Sequence, residues 1–211
     1  MPVNGPVRVL IVDDSRTIRA MIRSVLDPDS RFLVVGEAGD PYAARDLIKA
    51  KNPDVLTLDV EMPRMNGLVF LRNLMRLRPM PVVMVSTRTS EQSEDAITAL
   101  SLGAVDCIDL KRVHGAPDIQ SKLTETLLIA AGASLQKTDT LSPSGSSQSN
   151  NFEWSGKFVL IGSSTGGVEA LERVFAVFPK NCPPTLVAQH MPASFLESFA
   201  ERLNNNVAPN V

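Results

Sequence analysis

Short apolar runs alternate five times with amphipathic helical patterns in the first 133 residues, and this alternation restricts the fold more than any other feature. Parallel strands need crossover connections, and right-handed crossovers place helices on both faces of the sheet. The pattern therefore predicts a doubly wound α/β domain with a parallel sheet. The predicted strands are 7–12, 32–38, 55–59, 81–86 and 105–108. The first predicted helix is capped by Ser15 or Asp14 and has its apolar stripe at 18–26, and the others are 42–51, 68–77, 91–102 and 119–133.

Composition excludes several classes of protein. The 211 residues are 44% hydrophobic, with a formal net charge of −2 and no local Lys/Arg cluster, which argues against a nucleic-acid-binding surface. The apolar runs are too short to span a bilayer, and the N-terminus lacks the pattern of a leader. Cys107 and Cys182 stand far apart without metal-ligand spacing, which favours reduced thiols. We expect a cytoplasmic protein without a nucleic-acid partner or membrane insertion.

Acidic residues follow two of the predicted strands directly. Asp13 and Asp14 end the first strand and Asp59 ends the third, while Ser86 ends the fourth. The carboxyl ends of parallel strands share one edge, so these side chains should meet there. Taken alone, Asp59 is better interpreted as a cap or turn residue than as a site, and the acids after the first strand reverse that preference. Three adjacent carboxylates repel one another unless a hard divalent cation offsets them, so the cluster predicts Mg²⁺, with Asp59 as a nucleophile for a phosphoryl group.

Four motifs carry a resemblance to a known family. They are LIVDDS at 10–15, LDVEMPRMNG at 58–67, MVST at 84–87 and GAVD at 103–106. Together they resemble the response-regulator receiver domain from residue 7 to about residue 130, and we expect the domain to span 5–134. The resemblance implies a five-stranded, flavodoxin-like receiver that a histidine kinase phosphorylates on Asp59. It also implies Asp14, Asp59 and the backbone carbonyl of Glu61 as Mg²⁺ ligands, Asp13 as a supporting acid and Ser86 as the switch hydroxyl.

The fifth strand departs from the receiver pattern. Counted without a gap from Gly103, the family's aromatic residue falls on Cys107 and its lysine on Leu110, while Lys111 comes one position late. A slip of one residue turns a side chain to the opposite face of a strand. A bulge would let the flexible ammonium of Lys111 reach the phosphoryl group, so a switch role and a structural role for Lys111 both stay open.

A polar segment separates two kinds of chemistry. Residues 135–154 are rich in Ser, Asn, Gln and Thr, which predicts a flexible linker. The strand-turn-helix pattern that follows carries Gly162, Ser164 and Gly166 in G-x-S-x-G spacing. A serine raised on such a turn is exposed to substrate, and helix amides can stabilise an oxyanion. A phosphate-cradling loop or a plain tight turn fits these residues as well.

His190 ends a second short strand after this turn, so it should reach the same edge as Ser164 and serve as its general base. The motifs IGSSTGG at 161–167, QHMP at 189–192 and SFAERL at 198–203 resemble the start of the catalytic domain of the chemotaxis protein-glutamate methylesterases, the CheB family. That resemblance implies Ser164 as nucleophile and His190 as base, with Ser163 in place of the usual alanine.

No aspartate follows His190, so we expect 155–211 to be an incomplete domain of a truncated chain.

Two functions are predicted. The first is a phosphorylation-controlled chemotaxis regulator that hydrolyses glutamate methyl esters on methylated chemoreceptors, with deamidation of receptor glutamines left open. The second is a receiver module that only accepts phosphoryl from a histidine kinase.

Overall fold

The structure, a computed structural model, describes residues 5–86, 93–110, 116–133, 156–164, 166–191 and 193–211. The chain divides into two compact units, residues 1–137 and 138–211. Each unit is described by itself below.

The first unit is built on a five-stranded, fully parallel sheet in the order β2-β1-β3-β4-β5. This is the predicted doubly wound arrangement. Its elements are β1 (Val7–Val12), α1 (Arg16–Leu26), β2 (Phe32–Ala38), α2 (Pro41–Lys51), β3 (Val55–Leu58), α3 (Gly67–Leu77), β4 (Val82–Ser86), α4 (Ser93–Ser101), β5 (Asp106–Asp109) and α5 (Ala116–Ala131).

Short polar side chains start the helices. The Ser15 hydroxyl accepts the N–H of Ile18 at 3.4 Å and begins α1, and the Asp40 carboxylate accepts two N–H groups at the start of α2. The Asn66 side chain accepts the N–H of Leu68 at 2.7 Å and begins α3. Each cap satisfies donors that have no partner within the helix, so the chain turns into a helix soon after each strand.

The sheet is covered on both faces. Alternate residues of each strand point to opposite faces, so Leu56 and Leu58 enter one apolar cluster with residues of α2 and α3, while Val55 enters another with residues of α1 and α5. Strands β1, β3 and β4 are almost wholly buried. Burial on both faces explains why these strands appear in the sequence as continuous apolar runs.

The predicted start of the last helix at residue 119 is wrong by three residues, because α5 begins at Ala116. Pro117 and Asp118 occupy its first turn. A proline is tolerated there since no intrahelical acceptor awaits its nitrogen, and an acid is favoured by the helix dipole. Neither residue belongs to the apolar stripe from which the helix was predicted.

The second unit holds β6 (Val159–Ser163), α6 (Gly167–Phe175), β7 (Thr185–Gln189) and α7 (Ala193–Asn206). The strands pair in parallel, with Ser163 opposite Gln189. The helices bury Val168, Leu171, Phe175, Phe199 and Leu203, whereas Leu160 and Leu186 of the strands stay 69% and 62% exposed. In the described parts of both units, each helix is too short or too polar to cross a membrane.

Gly67 generates the first testable prediction. A Cβ added there would overlap the backbone carbonyl oxygen of Asp59. Replacing Gly67 by Ala should therefore displace the β3–α3 loop and lower the free energy of unfolding by about 1–3 kcal/mol, as overpacking does elsewhere. Urea denaturation of the full chain measures the loss.

Gly132 provides the matched control. A Cβ there would meet its nearest atom at 3.5 Å, which is ordinary contact. Gly132→Ala should change the free energy of unfolding by less than about 0.5 kcal/mol. Equal effects of the two substitutions would contradict a specific role for the Gly67 contact.

Candidate functional site

Three carboxylates meet at the carboxyl edge of the five-stranded sheet. Asp13 and Asp14 follow β1 and Asp59 follows β3, its neighbour, and one oxygen from each carboxylate lies within 4.8 Å of the other two. Asp13 is 4% exposed, Asp59 is half-buried and Asp14 is exposed. The predicted convergence of these acids is therefore present in the structure.

Backbone hydrogen bonds hold the two acidic loops against the sheet. The Asp59 N–H donates to the Val12 carbonyl at 2.9 Å, and the Asp13 N–H donates to the Ala38 carbonyl at 3.0 Å. The Asp13 carboxylate accepts the N–H of Ser15 at 2.8 Å. The hydrogen-bonded pairing of the strands thus continues for one residue beyond β1 and β3, so Asp13 and Asp59 lie on a rigid edge of the sheet.

The environment of the cluster raises the pKa of two of its acids. Burial, with the Asp13 carboxylate next in effect, raises the pKa of Asp59 from 3.8 to about 7, against the N–H groups of Val60 and Glu61 that stabilise its charge. Burial also raises the pKa of Asp13 to about 6, while the Ser15 N–H and Arg19 act in the opposite direction. Both shifts mean that negative charge is incompletely compensated here.

The donor set fits a hard divalent cation. All three side chains offer carboxylate oxygens, the ligands that Mg²⁺ prefers, and their mutual repulsion is what a cation would remove. The close approach that Gly67 allows to the Asp59 backbone keeps the β3–α3 loop folded over the same edge. Exposure of Asp14 leaves one side of the cluster open to solvent.

The other predicted residues of the first site are placed in part. Ser86 ends β4 and pairs in register with Asp109, but its side chain lies outside the described residues, as does Lys111. Glu61 lies in the loop after Asp59 and is exposed. The Cys107 thiol, in the position of the family's aromatic residue, donates to the Ala96 carbonyl at 3.6 Å, and burial raises its pKa.

A second constellation lies at the end of β6 and β7. Ser164 Oγ is 3.4 Å from His190 Nδ1, and both residues are exposed. The backbone N–H of His190 donates to the Ser163 carbonyl at 2.8 Å, which extends the β6–β7 pairing by one residue. Gly166 caps α6 with a φ of 77°, a left-handed conformation that favours glycine. The predicted serine and histidine therefore meet beside a helix N-terminus.

Sequence reasoning missed Gln189. Its side-chain amide donates to the Ser164 carbonyl at 2.9 Å and to the His190 carbonyl at 3.2 Å. It thereby ties together the backbones of the two predicted catalytic residues. Gln189 stands within the QHMP motif, so the motif included the residue without indicating its bonds.

Comparison with known proteins shows the family to which the first unit belongs. Residues 9–121, more than half of the chain, match the family model of the response regulator receiver domain. The chain belongs to the response regulator receiver family. Residues 159–211 match the model of the CheB methylesterase, so the predicted resemblance of both units is confirmed.

Individual relatives agree with this family assignment. The chain is 50% identical over 207 residues to the protein-glutamate methylesterase/protein-glutamine glutaminase 1 of Caulobacter vibrioides, covering 97% of this chain and 60% of that protein. It thus spans about three fifths of this relative. The structure resembles the crystal structure of the response regulator domain of Thermotoga maritima CheB, with 34% identity, a TM-score of 0.56 and coverage of 62% of this chain and 99% of that one.

A third relative comes from a signalling complex. It is a chain in the crystal structure of the P1 domain of CheA3 in complex with CheY6 from R. sphaeroides. The identity is 31%, the TM-score 0.51 and the coverage 62% of this chain and 100% of that one.

The raised pKa of Asp59 generates the second prediction. Between pH 4 and 7 the folded state holds protons that the unfolded state has released, so stability falls as the pH rises through this window, in the absence of divalent cations. Asp59→Asn removes the charge and should raise the free energy of unfolding at pH 8 by about 1–2 kcal/mol, after allowance for solvent screening. At pH 4 the gain should vanish. Denaturation at pH 4 and pH 8 measures the change in the free energy of unfolding.

Asp46→Asn is the control, because Asp46 is exposed on α2 and, within the part of the chain that the structure describes, forms a surface ion pair with Arg45. It should change stability by less than about 0.5 kcal/mol at either pH. A gain from Asp59→Asn of the same size at pH 4 and pH 8 would contradict the charge argument.

Proposed function

We propose that this chain is a phosphorylation-controlled chemotaxis regulator: a histidine kinase phosphorylates Asp59, and the second unit hydrolyses glutamate methyl esters on chemoreceptors. The observation that carries the proposal is the presence in one chain of the three-acid cluster and of a serine 3.4 Å from a histidine. The methylesterase name of the Caulobacter vibrioides relative and the presence of the P1 domain of CheA3 in the third relative's complex support it.

The residues that would hold Mg²⁺ are Asp14, Asp59 and the backbone carbonyl of Glu61, with Asp13 as a supporting acid. A bound Mg²⁺ ion neutralises charge on the carboxylates and on the phosphoryl oxygens. A carboxylate oxygen of Asp59 attacks phosphorus, the bond from phosphorus to the donor nitrogen of the kinase histidine breaks, and the imidazole leaves. Asp59 suits this role because its half-buried position limits competing water while its edge position admits the donor.

Ser86 and Lys111 are proposed to report the phosphoryl group to the rest of the receiver. Ser86 ends β4, which lies beside β3, and Lys111 comes shortly after β5, one strand further along the sheet. Cys107 stands where the family has an aromatic residue, so transmission here cannot depend on the rotation of a ring at that position.

The second unit would act by nucleophilic catalysis. Ser164 Oγ attacks the ester carbonyl while His190 takes its proton, and His190 then protonates the departing methanol. Water hydrolyses the acyl-enzyme by the reverse sequence of proton transfers. No side chain caps the N-terminus of α6, and N–H groups of its first turn after Gly167 are proposed to stabilise the oxyanion. The 3.4 Å separation is long for the ground-state hydrogen bond and is expected to shorten with substrate bound.

The boundaries proposed for these functions are a receiver at 5–134, a linker at 135–154 and methylesterase-like residues at 155–211. Methylated chemoreceptors are the proposed substrate, and receptor glutamine amides, which would release ammonia, are a second one. Both cysteines are free, in keeping with a proposed location in the reducing cytoplasm.

Phosphorylation of Asp59 is the third prediction. Acetyl phosphate with Mg²⁺ should label the chain, and Asp59→Asn should abolish the label because it removes the nucleophilic carboxylate. The label should be lost on treatment with hydroxylamine, as expected of an acyl phosphate. Phosphate-affinity electrophoresis measures both results.

Asp46→Asn, at an exposed acid of the same unit, should be labelled like the unchanged chain. Labelling that survives Asp59→Asn would refute the acceptor assignment.

Ester hydrolysis is the fourth prediction. The chain should release methanol from methylated receptor membranes, and Ser164→Ala should reduce the rate at least about 100-fold because the nucleophile is lost. Ser198→Ala, on α7, is the control and should leave the rate unchanged. Methanol is measured by gas chromatography.

A receiver module without esterase activity is the second candidate. The exposed apolar residues Leu160 and Leu186 on the β6–β7 sheet favour it, because a catalytic domain ordinarily covers both faces of its sheet. Phosphorylation of Asp59 without Ser164-dependent methanol release would establish this function and exclude the first.

A further inference from the structure

The guanidinium of Arg19 folds back from the second turn of α1 onto the loop that carries Asp13 and Asp14. Its Nη1 donates to the carbonyl oxygen of Asp13 at 2.6 Å and to that of Asp14 at 3.1 Å. These carbonyls belong to the peptide groups on either side of Asp14. One side chain therefore fixes the two peptide planes that decide where the Asp14 carboxylate points.

The Arg19 side chain is itself held in place. Its Nε donates to Glu37 at 3.3 Å, and the other oxygen of Glu37 accepts Arg23 Nε at 2.6 Å. Only 14% of the Arg19 side chain is exposed. Nη1 also runs beside Gly39, where an added Cβ would lie 3.5 Å from it. Because Glu37 belongs to β2, Arg19 joins the acidic loop to a strand of the sheet.

Asp14 has more need of this support than Asp13. Asp13 is buried, its N–H is bound to Ala38 and its carboxylate accepts the Ser15 N–H. The Asp14 carboxylate is exposed, so its direction depends chiefly on its backbone. A metal ligand on a loop of loose backbone loses affinity, because cation binding must then order it.

We propose that Arg19 is a positioning residue for divalent-cation binding at the acidic cluster, holding the backbone of Asp13 and Asp14 so that their carboxylates face Asp59. The inference rests on the proposed function, which places Mg²⁺ at this cluster.

The charge of Arg19 and its hydrogen bonds predict opposite effects of its removal on Mg²⁺ binding. Arg19 is a cation next to a cation site, and its field favours the charged form of Asp13. By charge alone, removal of Arg19 would reduce repulsion and strengthen Mg²⁺ binding. If Arg19 acts by positioning, its removal weakens Mg²⁺ binding. The direction of the change therefore separates the two effects.

The test is calorimetric titration of the full chain with Mg²⁺ at constant pH and ionic strength. Arg19→Gln should weaken Mg²⁺ binding about 10-fold, at the lower end of the losses seen when partners of metal ligands are removed. Arg19→Lys keeps the charge but cannot reach both carbonyls and Glu37, so it should weaken binding about 3-fold. Arg23→Gln is the matched control. It removes a nearby charge but leaves the contacts of Arg19 with the carbonyls, and should alter affinity less than about 2-fold.

Two further measurements separate positioning from a general loss of structure. With acetyl phosphate, Arg19→Gln should raise the Mg²⁺ concentration that gives half the maximal labelling rate, while the rate at saturating Mg²⁺ stays close to that of the unchanged chain. Without Mg²⁺, amide hydrogen exchange at Asp14 and Ser15 should be faster in Arg19→Gln than in Arg23→Gln. Circular dichroism checks folding first, and Arg19→Lys decides the question if Arg19→Gln is unfolded.

Unchanged or tighter Mg²⁺ binding by Arg19→Gln would overturn the inference, as would equal losses from Arg19→Gln and Arg23→Gln. A lower maximal labelling rate at unchanged Mg²⁺ dependence would overturn it too. Failure of the unchanged chain to bind Mg²⁺ would instead contradict the proposed metal site, and the inference with it.

Discussion

The site of the first unit depends on holding Asp13, Asp14 and Asp59 together against the electrostatic repulsion of their carboxylates. Separate carboxylates in water would not approach so closely, but β1 and β3 are neighbours in a parallel sheet and end at the same edge. Two apolar clusters, one on each face of that sheet, supply the free energy that holds the strands together. Burial of Asp13 and partial burial of Asp59 leave a concentration of negative charge that a bound cation would relieve.

Both units place their reactive groups by the same local arrangement. A strand ends, a short loop carries the side chain, and a helix begins within a few residues. In the first unit two acids directly precede Ser15, the N-cap of α1. In the second, Gly166 turns the chain so that α6 starts at Gly167, soon after Ser164. The chemistry differs because carboxylates gather at one edge and a hydroxyl meets an imidazole at the other.

The fold could be predicted largely from the sequence, since strands buried on both faces leave continuous apolar runs and amphipathic helices leave a spaced stripe. The first three residues of α5 escaped prediction because Ala116, Pro117 and Asp118 lie outside that stripe. The hydrogen bonds that support the two sites could not be predicted, for another reason. Arg19 and Gln189 act by donating to backbone carbonyls, and every residue has a carbonyl, so no pattern of side chains reveals which ones are bound.

By itself, the sequence determined the order of the elements, the strand ends on which Asp13, Asp14, Asp59, Ser164 and His190 stand, and the family of the first unit. These depend on local periodicity and on motifs, both of which are read along the chain. Only the tertiary structure decided that the three acids lie within 4.8 Å and that Ser164 lies 3.4 Å from His190. Such distances depend on which strands become neighbours, and on side chains such as Gln189, which donates to the Ser164 carbonyl from a distant part of the chain. They are settled by packing among elements, which no single segment encodes.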